Sequence, residues 1–196
     1  MSLNVCIFGV SGYTGSKLLS FLDKHKNVKI CGVFGNSTVG KELGQISKNL
    51  NKISKIKITK YEDFNFHDID LVFSCLPHKK FQNNIIRNLD SNISIIDLSG
   101  DFRFDSIKEY EKFYKCKHNA ESLNKKFLYG LSEIYKKKIK NAKFIANPGC
   151  YPTSILLPLI PLLREPRFGI KEIIADSKSG ISGAGKKPKI ENLFSE

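Results

Sequence analysis

The sequence has no tryptophan, one methionine and no Cys-x-x-Cys pair. Its five cysteines stand apart at 6, 31, 75, 116 and 150, and its four histidines at 25, 67, 78 and 118. Zinc sites need clustered ligands and disulfide scaffolds need dense cysteine, so free thiols and no metal are expected. Long apolar runs are also missing. The longest covers residues 155–163 and is interrupted by Pro158 and Pro161, whereas a membrane-spanning helix takes about 20 residues. Met1-Ser2-Leu3-Asn4 leads straight into an apolar run with no charged leader region. These features point to a soluble, cytoplasmic protein without a membrane partner.

Acidic residues are scarce. Nineteen Asp and Glu face 32 Lys and Arg, a formal charge of +13. The lysines are dispersed, as in Lys52-Ile53-Ser54-Lys55-Ile56-Lys57, and do not alternate with aromatics on one recognisable face. No nucleic-acid partner is expected from that pattern, while attraction of small anions is compatible with it.

What is present is an alternation of short β-rich runs with helical stretches, the pattern of a parallel α/β sheet. Strands are expected over residues 3–8, 28–34, 70–76, 93–98 and 143–146, with a weaker one over 55–59. Helices are expected over 14–24, 79–89 and 106–115. After Cys150 the character changes. Pro152 suits a first helical turn, 154–163 continues that helix with a kink at Pro158, and 171–176 is expected to be a strand opening a second domain. The division is a Rossmann-type domain over 1–149 and the incomplete start of another over 150–196.

Between the first strand and helix lies Gly9-Val10-Ser11-Gly12-Tyr13-Thr14-Gly15. Glycines here let backbone N–H groups approach a pyrophosphate at a helix N-terminus. The spacing is GxxGxxG rather than GxGxxG, and its position after a strand and before a helix gives it weight. An acid at the end of the second strand would hold an NAD ribose. Here Phe34-Gly35-Asn36-Ser37-Thr38-Val39-Gly40-Lys41 holds none before Glu42. Ser37 and Lys41 suit a 2′-phosphate instead, so the expected cofactor is NADP.

Cys6, Cys31 and Cys75 lie inside apolar runs and are expected to be small buried hydrophobes. Cys150 differs, because it sits where a strand gives way to a helix start. Free N–H groups at such a point stabilise a thiolate and can hold an oxyanion. On placement alone, a nucleophile and a structural loop cysteine are equally good readings.

Asn147-Pro148-Gly149-Cys150-Tyr151-Pro152-Thr153 resembles the active-site signature of the N-acetyl-γ-glutamyl-phosphate reductases, relatives of aspartate-semialdehyde dehydrogenase. The resemblance extends to Gly9–Gly15, Cys75-Leu76-Pro77-His78, Asp97-Leu98-Ser99-Gly100-Asp101-Phe102-Arg103, Tyr129-Gly130-Leu131-Ser132-Glu133 and Lys178-Ser179-Gly180-Ile181-Ser182-Gly183-Ala184-Gly185, in order. Ser154 and Pro158 depart from the smaller residues the family more often has there.

The resemblance implies that Cys150 attacks the acyl phosphate, that phosphate leaves a thioester, and that NADPH reduces it to N-acetylglutamate 5-semialdehyde in arginine biosynthesis. It places Gly9, Ser11, Gly12, Tyr13, Thr14 and Gly15 on the cofactor, Pro77 near the nicotinamide ribose, and Ser179 and Gly180 near nicotinamide and substrate. Arg103 and Lys178 are candidate partners for substrate anions, with a structural ion pair the favoured role for each. His78 is expected at the surface or behind the site, and His118 matches no motif. The resemblance also implies a second α+β substrate and dimerisation domain, a homo-oligomer, and a general acid/base histidine beyond this sequence. Weak or absent turnover is therefore expected of residues 1–196 alone. The alternatives are a non-catalytic NADP-binding fragment and a reductase of the lysine-pathway aminoadipyl phosphate.

Overall fold

A computed structural model of the chain describes residues 2–186. The last ten residues of the expected second segment, 187–196, lie outside the described residues. Six strands, β1 (Leu3–Phe8), β2 (Val28–Phe34), β3 (Leu71–Ser74), β4 (Ser94–Asp97), β5 (Phe127–Tyr129) and β6 (Phe144–Ala146), form one sheet of order β2-β1-β3-β4-β6-β5. Every pairing is parallel. Seven helices accompany it among the described residues: α1 (Tyr13–Leu22), α2 (Leu43–Ile46), α3 (Lys80–Asn84), α4 (Ile107–Tyr114), α5 (Glu121–Asn124), α6 (Ser132–Ile139) and α7 (Cys150–Leu163).

Successive side chains of a strand point to opposite faces, and β1 is apolar on both. Cys6 and Phe8 face a cluster with Phe34, Val72, Phe81 and Phe102, whereas Val5 and Ile7 face Val10, Leu19, Val33 and Leu43. A central parallel strand covered on both sides needs this continuous apolar run. Register then sets the position of the loops. Phe34, Phe8, Ser74, Asp97, Ala146 and Tyr129, each the last residue of its strand, pair in one row across the sheet. All six following loops therefore leave along one edge. The chain moves from β1 outward to β2 and returns to β3 on the other side of β1, so the order reverses between β1 and β3. In open α/β sheets that reversal is where ligands bind.

Several expectations are corrected. Residues 55–59 form no strand; Thr59 makes a single parallel bridge to Phe34, and Lys57 an antiparallel one to Glu42. The expected helix over 79–89 is broken into α3 and a 3-10 turn, Ile86–Asn88. Asparagines followed by the buried, β-branched Ile85 and Ile86 explain the break, since both types are poor helix formers. α7 begins at Cys150 itself. Residues 171–176 are exposed and form no strand, because no neighbouring strand offers them a hydrogen-bonding edge among the described residues. β5, α2, α5 and α6 were not anticipated from the sequence. No helix among the described residues is long and apolar enough to cross a membrane.

Candidate active site

The loop after β1 shows why its glycines are spaced as they are. Gly9 has φ +79°, and a Cβ on it would stand 2.5 Å from the Cys75 carbonyl oxygen. A Cβ on Gly15 would stand 2.4 Å from the Gly9 carbonyl oxygen and 2.8 Å from the Val10 Cα. These two residues let α1, β1 and the loop after β3 come together. Gly12 differs: a Cβ there would meet only the Gly9 oxygen, at 3.6 Å. Gly12 also caps α1 without any side-chain hydrogen bond. The helix N-terminus is thus left uncovered, the condition for binding a phosphate through backbone N–H groups. Ser11 is half-buried, and Tyr13 and Thr14 are exposed beside it.

At the end of β2, Asn36, Ser37 and Lys41 are exposed. Glu42, the first acid after the strand, is engaged elsewhere: it caps α2 in a reciprocal box with Gln45. Apart from Glu42, no carboxylate stands between β2 and α2. Pro77 and His78 are exposed on the loop after β3. His78 Nδ1 accepts from the Gly100 N–H at 2.8 Å, which puts any ring proton of the neutral form on Nε2. Partial desolvation of the ring against the loop lowers its pKa despite the nearby Asp101 charge.

Beneath these loops lies a polar layer. Asp97 is fully buried and accepts from the Ser99 hydroxyl at 2.5 Å and the Ser99 N–H at 3.3 Å. Burial pushes its carboxyl up from 3.8 to about 6, with Ser99 opposing the rise. Asp101, 1% exposed, accepts from the Lys79 N–H at 2.9 Å and 3.0 Å and from the Tyr110 hydroxyl at 2.9 Å. Gln82 donates to Tyr110, and buried His118 bonds the Asp101 carbonyl through Nε2 at 2.8 Å. This network was missed from sequence; its one visible signal was two acids spaced within Asp97-Leu98-Ser99-Gly100-Asp101, directly after an apolar strand.

The raised Asp97 pKa has a measurable consequence. The folded state favours the protonated form, so the stability this carboxyl contributes is complete below pH about 4 and is lost as pH rises through about 6. Asp97→Asn, a permanently neutral stand-in, is expected to be more stable than the parent at pH 7.5 by up to about 3 kcal/mol. The gap should close near pH 4 in urea unfolding. A pH-independent gap would show that Asp97 carries no such cost.

Arg103 corrects an expectation. It makes no ion pair among the described residues. Its Nε donates to the Asn147 carbonyl at 2.8 Å and its Nη2 to the Leu98 carbonyl at 2.9 Å. The reason is local: the loops after β4 and β6 both present strand-end carbonyls, and a guanidinium fork can hold two at once. A Cβ on Gly149 would come within 2.9 Å of Arg103 Nη1, so the guanidinium lies against the residue before Cys150. Lys178 does pair, with exposed Asp176.

Cys150 opens the 14-residue α7, with Gly149 at its N-cap. It is the exposed member of the five cysteines. Burial pushes the Cys6 and Cys75 thiols up to about 12, in the latter case with help from Asp97; both fit structural roles. Ser179 and Gly180 are exposed, and Gly180 caps a short 3-10 turn, Ile181–Ala184. Lys186, just after that turn, places its ammonium 5.4 Å from the centre of the Tyr13 ring, which brings the end of this loop to the start of α1. No group of three or more potential metal ligands occurs among the described residues.

A parallel sheet with an uncapped, glycine-lined helix start at its crossover defines an NAD(P)-binding Rossmann domain. Consistent with this, the chain belongs to the semialdehyde dehydrogenase family: residues 4–142 match its NAD-binding domain and residues 150–196 its dimerisation domain. Among curated proteins it is similar to the probable chloroplastic N-acetyl-gamma-glutamyl-phosphate reductases of Oryza sativa, 39% identical, and Arabidopsis thaliana, 40% identical. Each match covers 99% of this chain and 46% or 48% of the relative. The chain thus spans about half the length of the curated relatives it matches. Among solved structures, aspartate semialdehyde dehydrogenase II of Vibrio cholerae shares the fold with a TM-score of 0.63 at 17% identity, over 95% of this chain and 49% of that one.

Proposed function

We propose that this chain is the nucleotide-binding and nucleophile-bearing part of an NADPH-dependent reductase that converts N-acetyl-γ-glutamyl phosphate to N-acetylglutamate 5-semialdehyde and inorganic phosphate, a step of arginine biosynthesis. The observation that carries this reading is an exposed cysteine at a helix start, on the same sheet edge as an uncapped phosphate loop. The substrate is the one named in the N-acetyl-gamma-glutamyl-phosphate reductases that the chain is similar to.

In this reading the Cys150 thiolate attacks the acyl carbon, the carbon–oxygen bond to phosphate breaks, and phosphate departs with the electron pair, leaving a thioester on sulfur. Backbone N–H groups at the start of α7 face the developing oxyanion. Arg103 holds the Asn147–Cys150 loop through the Asn147 carbonyl, and its remaining Nη1 donors serve the departing phosphate. Gly9, Ser11, Gly12, Tyr13, Thr14 and Gly15 hold the pyrophosphate. Ser37 and Lys41 receive the 2′-phosphate, Pro77 borders the ribose, and Ser179 and Gly180 border the nicotinamide. NADPH bound there supplies the hydride that brings the thioester to the aldehyde level. Cys150 then leaves as thiolate and the semialdehyde is released.

We further place the division between domains at 149/150. Exposed Leu162, Leu163, Phe168 and Ile174 lie beyond it, within the segment matched by the dimerisation domain. We read these apolar side chains as part of the contact surface of a homo-oligomer.

The reading is tested by alkylating Cys150 with iodoacetamide: a fast rate that saturating NADP changes supports it, and a slow rate indifferent to NADP sinks it. Cofactor choice is tested separately by titration. NADP should bind more tightly than NAD, and Lys41→Ala should weaken NADP alone by about tenfold, the worth of one charge-assisted contact. Tighter binding of NAD would refute the assignment.

A further inference from the structure

Lys79 adopts a left-handed conformation, φ 72° and ψ −26°, at the N-cap of α3. A side chain other than glycine is disfavoured there, and neither a glycine nor an asparagine relieves the turn. What holds it is the bond from the Lys79 N–H to both oxygens of the buried Asp101 carboxylate, at 2.9 Å and 3.0 Å. The same turn is clasped a second time, from the Gly100 N–H to His78 Nδ1 at 2.8 Å. Asp101 is itself fixed from below, by its N–H to the Ser99 hydroxyl at 3.1 Å, by the Tyr110 hydroxyl at 2.9 Å and by His118 on its carbonyl. Two residues further on, Arg103 grips the Asn147 carbonyl on the strand-end loop that leads into Cys150.

We infer that Asp101 is a positioning residue: by clamping the left-handed turn at Lys79 it fixes the Cys75–Lys79 loop to the same rigid segment that fixes the Cys150 loop, so that cofactor and nucleophile keep one spacing. This rests on the proposed reading of Cys150 and the NADP site. A charge-assisted bond to a backbone N–H is strong and directional, and a short segment pinned at Ser99, Asp101 and Arg103 transmits position with little slack. The pull on the turn is local and steric. Asp101 touches neither cofactor nor substrate in this scheme and acts through the two loops.

The test separates conformation from charge at one exposed position. Lys79→Gly and Lys79→Val remove the same ammonium, but glycine accepts the left-handed turn freely while a β-branched residue resists it. NADP is expected to bind Lys79→Val about tenfold more weakly than Lys79→Gly, given the penalty for left-handed backbone. The change in Cys150 alkylation rate caused by NADP should persist in the glycine variant and vanish in the valine variant. Asp101→Asn should resemble Lys79→Val, and adding Lys79→Gly to it should recover NADP affinity to within about threefold of Lys79→Gly alone. Equal behaviour of the two Lys79 variants, or no recovery in the double variant, overturns the inference. If Asp101→Asn does not fold, the surface pair decides alone. If the unaltered protein binds no NADP, the proposed function fails, and the latch is still read from amide exchange at residue 79 and Gly100: faster exchange with valine than with glycine supports it, and equal exchange overturns it.

Discussion

On the proposed function, replacing Cys150 by serine is expected to lower NADPH oxidation driven by N-acetyl-γ-glutamyl phosphate at least about a thousandfold, the scale on which removal of a covalent nucleophile acts. The change exchanges sulfur for oxygen and little else. Cys150 is exposed at the first position of α7 and buries no side chain there, so the fold has nothing to lose. What is lost is chemical. A serine hydroxyl at neutral pH is a weak nucleophile without an adjacent base, and its oxygen is a poor leaving group when the tetrahedral adduct must collapse. Both halves of the reaction should therefore suffer. The first half can be read without cofactor: mixing protein with the acyl phosphate alone should release a burst of about one phosphate per chain and leave an acyl group on Cys150. The serine variant should give no burst. A burst of equal size in the variant would move the nucleophile elsewhere and defeat the proposed mechanism.

The contrast among the cysteines also shows what the sequence could reveal. Cys6 is buried in β1 as its apolar run implies, whereas Cys31 in β2 and Cys75 just past β3 are only partly buried. The strand, glycine loop and helix at the start of the chain were equally legible, and the contact that demands Gly15 is with Gly9, six residues before it, whereas the one that demands Gly9 is with Cys75 and was not visible locally. The strands β1 to β4 and β6 were visible as apolar runs. β5 was not, since Phe127–Tyr129 has three residues and follows two lysines, and it gains strand character only by pairing with β6. The opposite error occurred at residues 171–176, where strand-forming side chains have no pairing edge. The polar layer was illegible for the same reason as β5. Asp101 meets Lys79 across 22 residues and Arg103 meets Asn147 across 44. No local period announces such contacts, and Arg103, expected in an ion pair, turned out to serve two carbonyls that only the fold brings together.

Two glycines of the loop after β1, Gly15 and Gly12, should fail in different ways when changed to alanine. Gly15→Ala places a methyl group 2.4 Å from the Gly9 oxygen and 2.8 Å from the Val10 Cα. Neither is a flexible side-chain end. Gly9 is held by its N–H to the Phe34 carbonyl at 3.0 Å, and Val10 is fully buried in the core. The helix must retreat, opening the packing of Leu19 against Val5 and Ile7. A cost of about 3 kcal/mol is expected, at the upper end for an overpacked site, with NADP binding weakened a hundredfold or more. Gly12→Ala makes a different prediction. Its backbone, φ −75° and ψ 167°, suits any residue, and the new methyl meets only the Gly9 oxygen at 3.6 Å. Stability should stay within about 0.5 kcal/mol of the parent. The methyl instead occupies the space through which a pyrophosphate approaches the first-turn N–H groups, so NADP affinity should fall by about tenfold or more. Thermal unfolding and NADP titration of the two variants therefore separate packing from recognition. A Gly12→Ala protein that keeps full NADP affinity would show that the start of α1 is not where the phosphates sit, and the cofactor would have to be sought elsewhere along the strand-end edge.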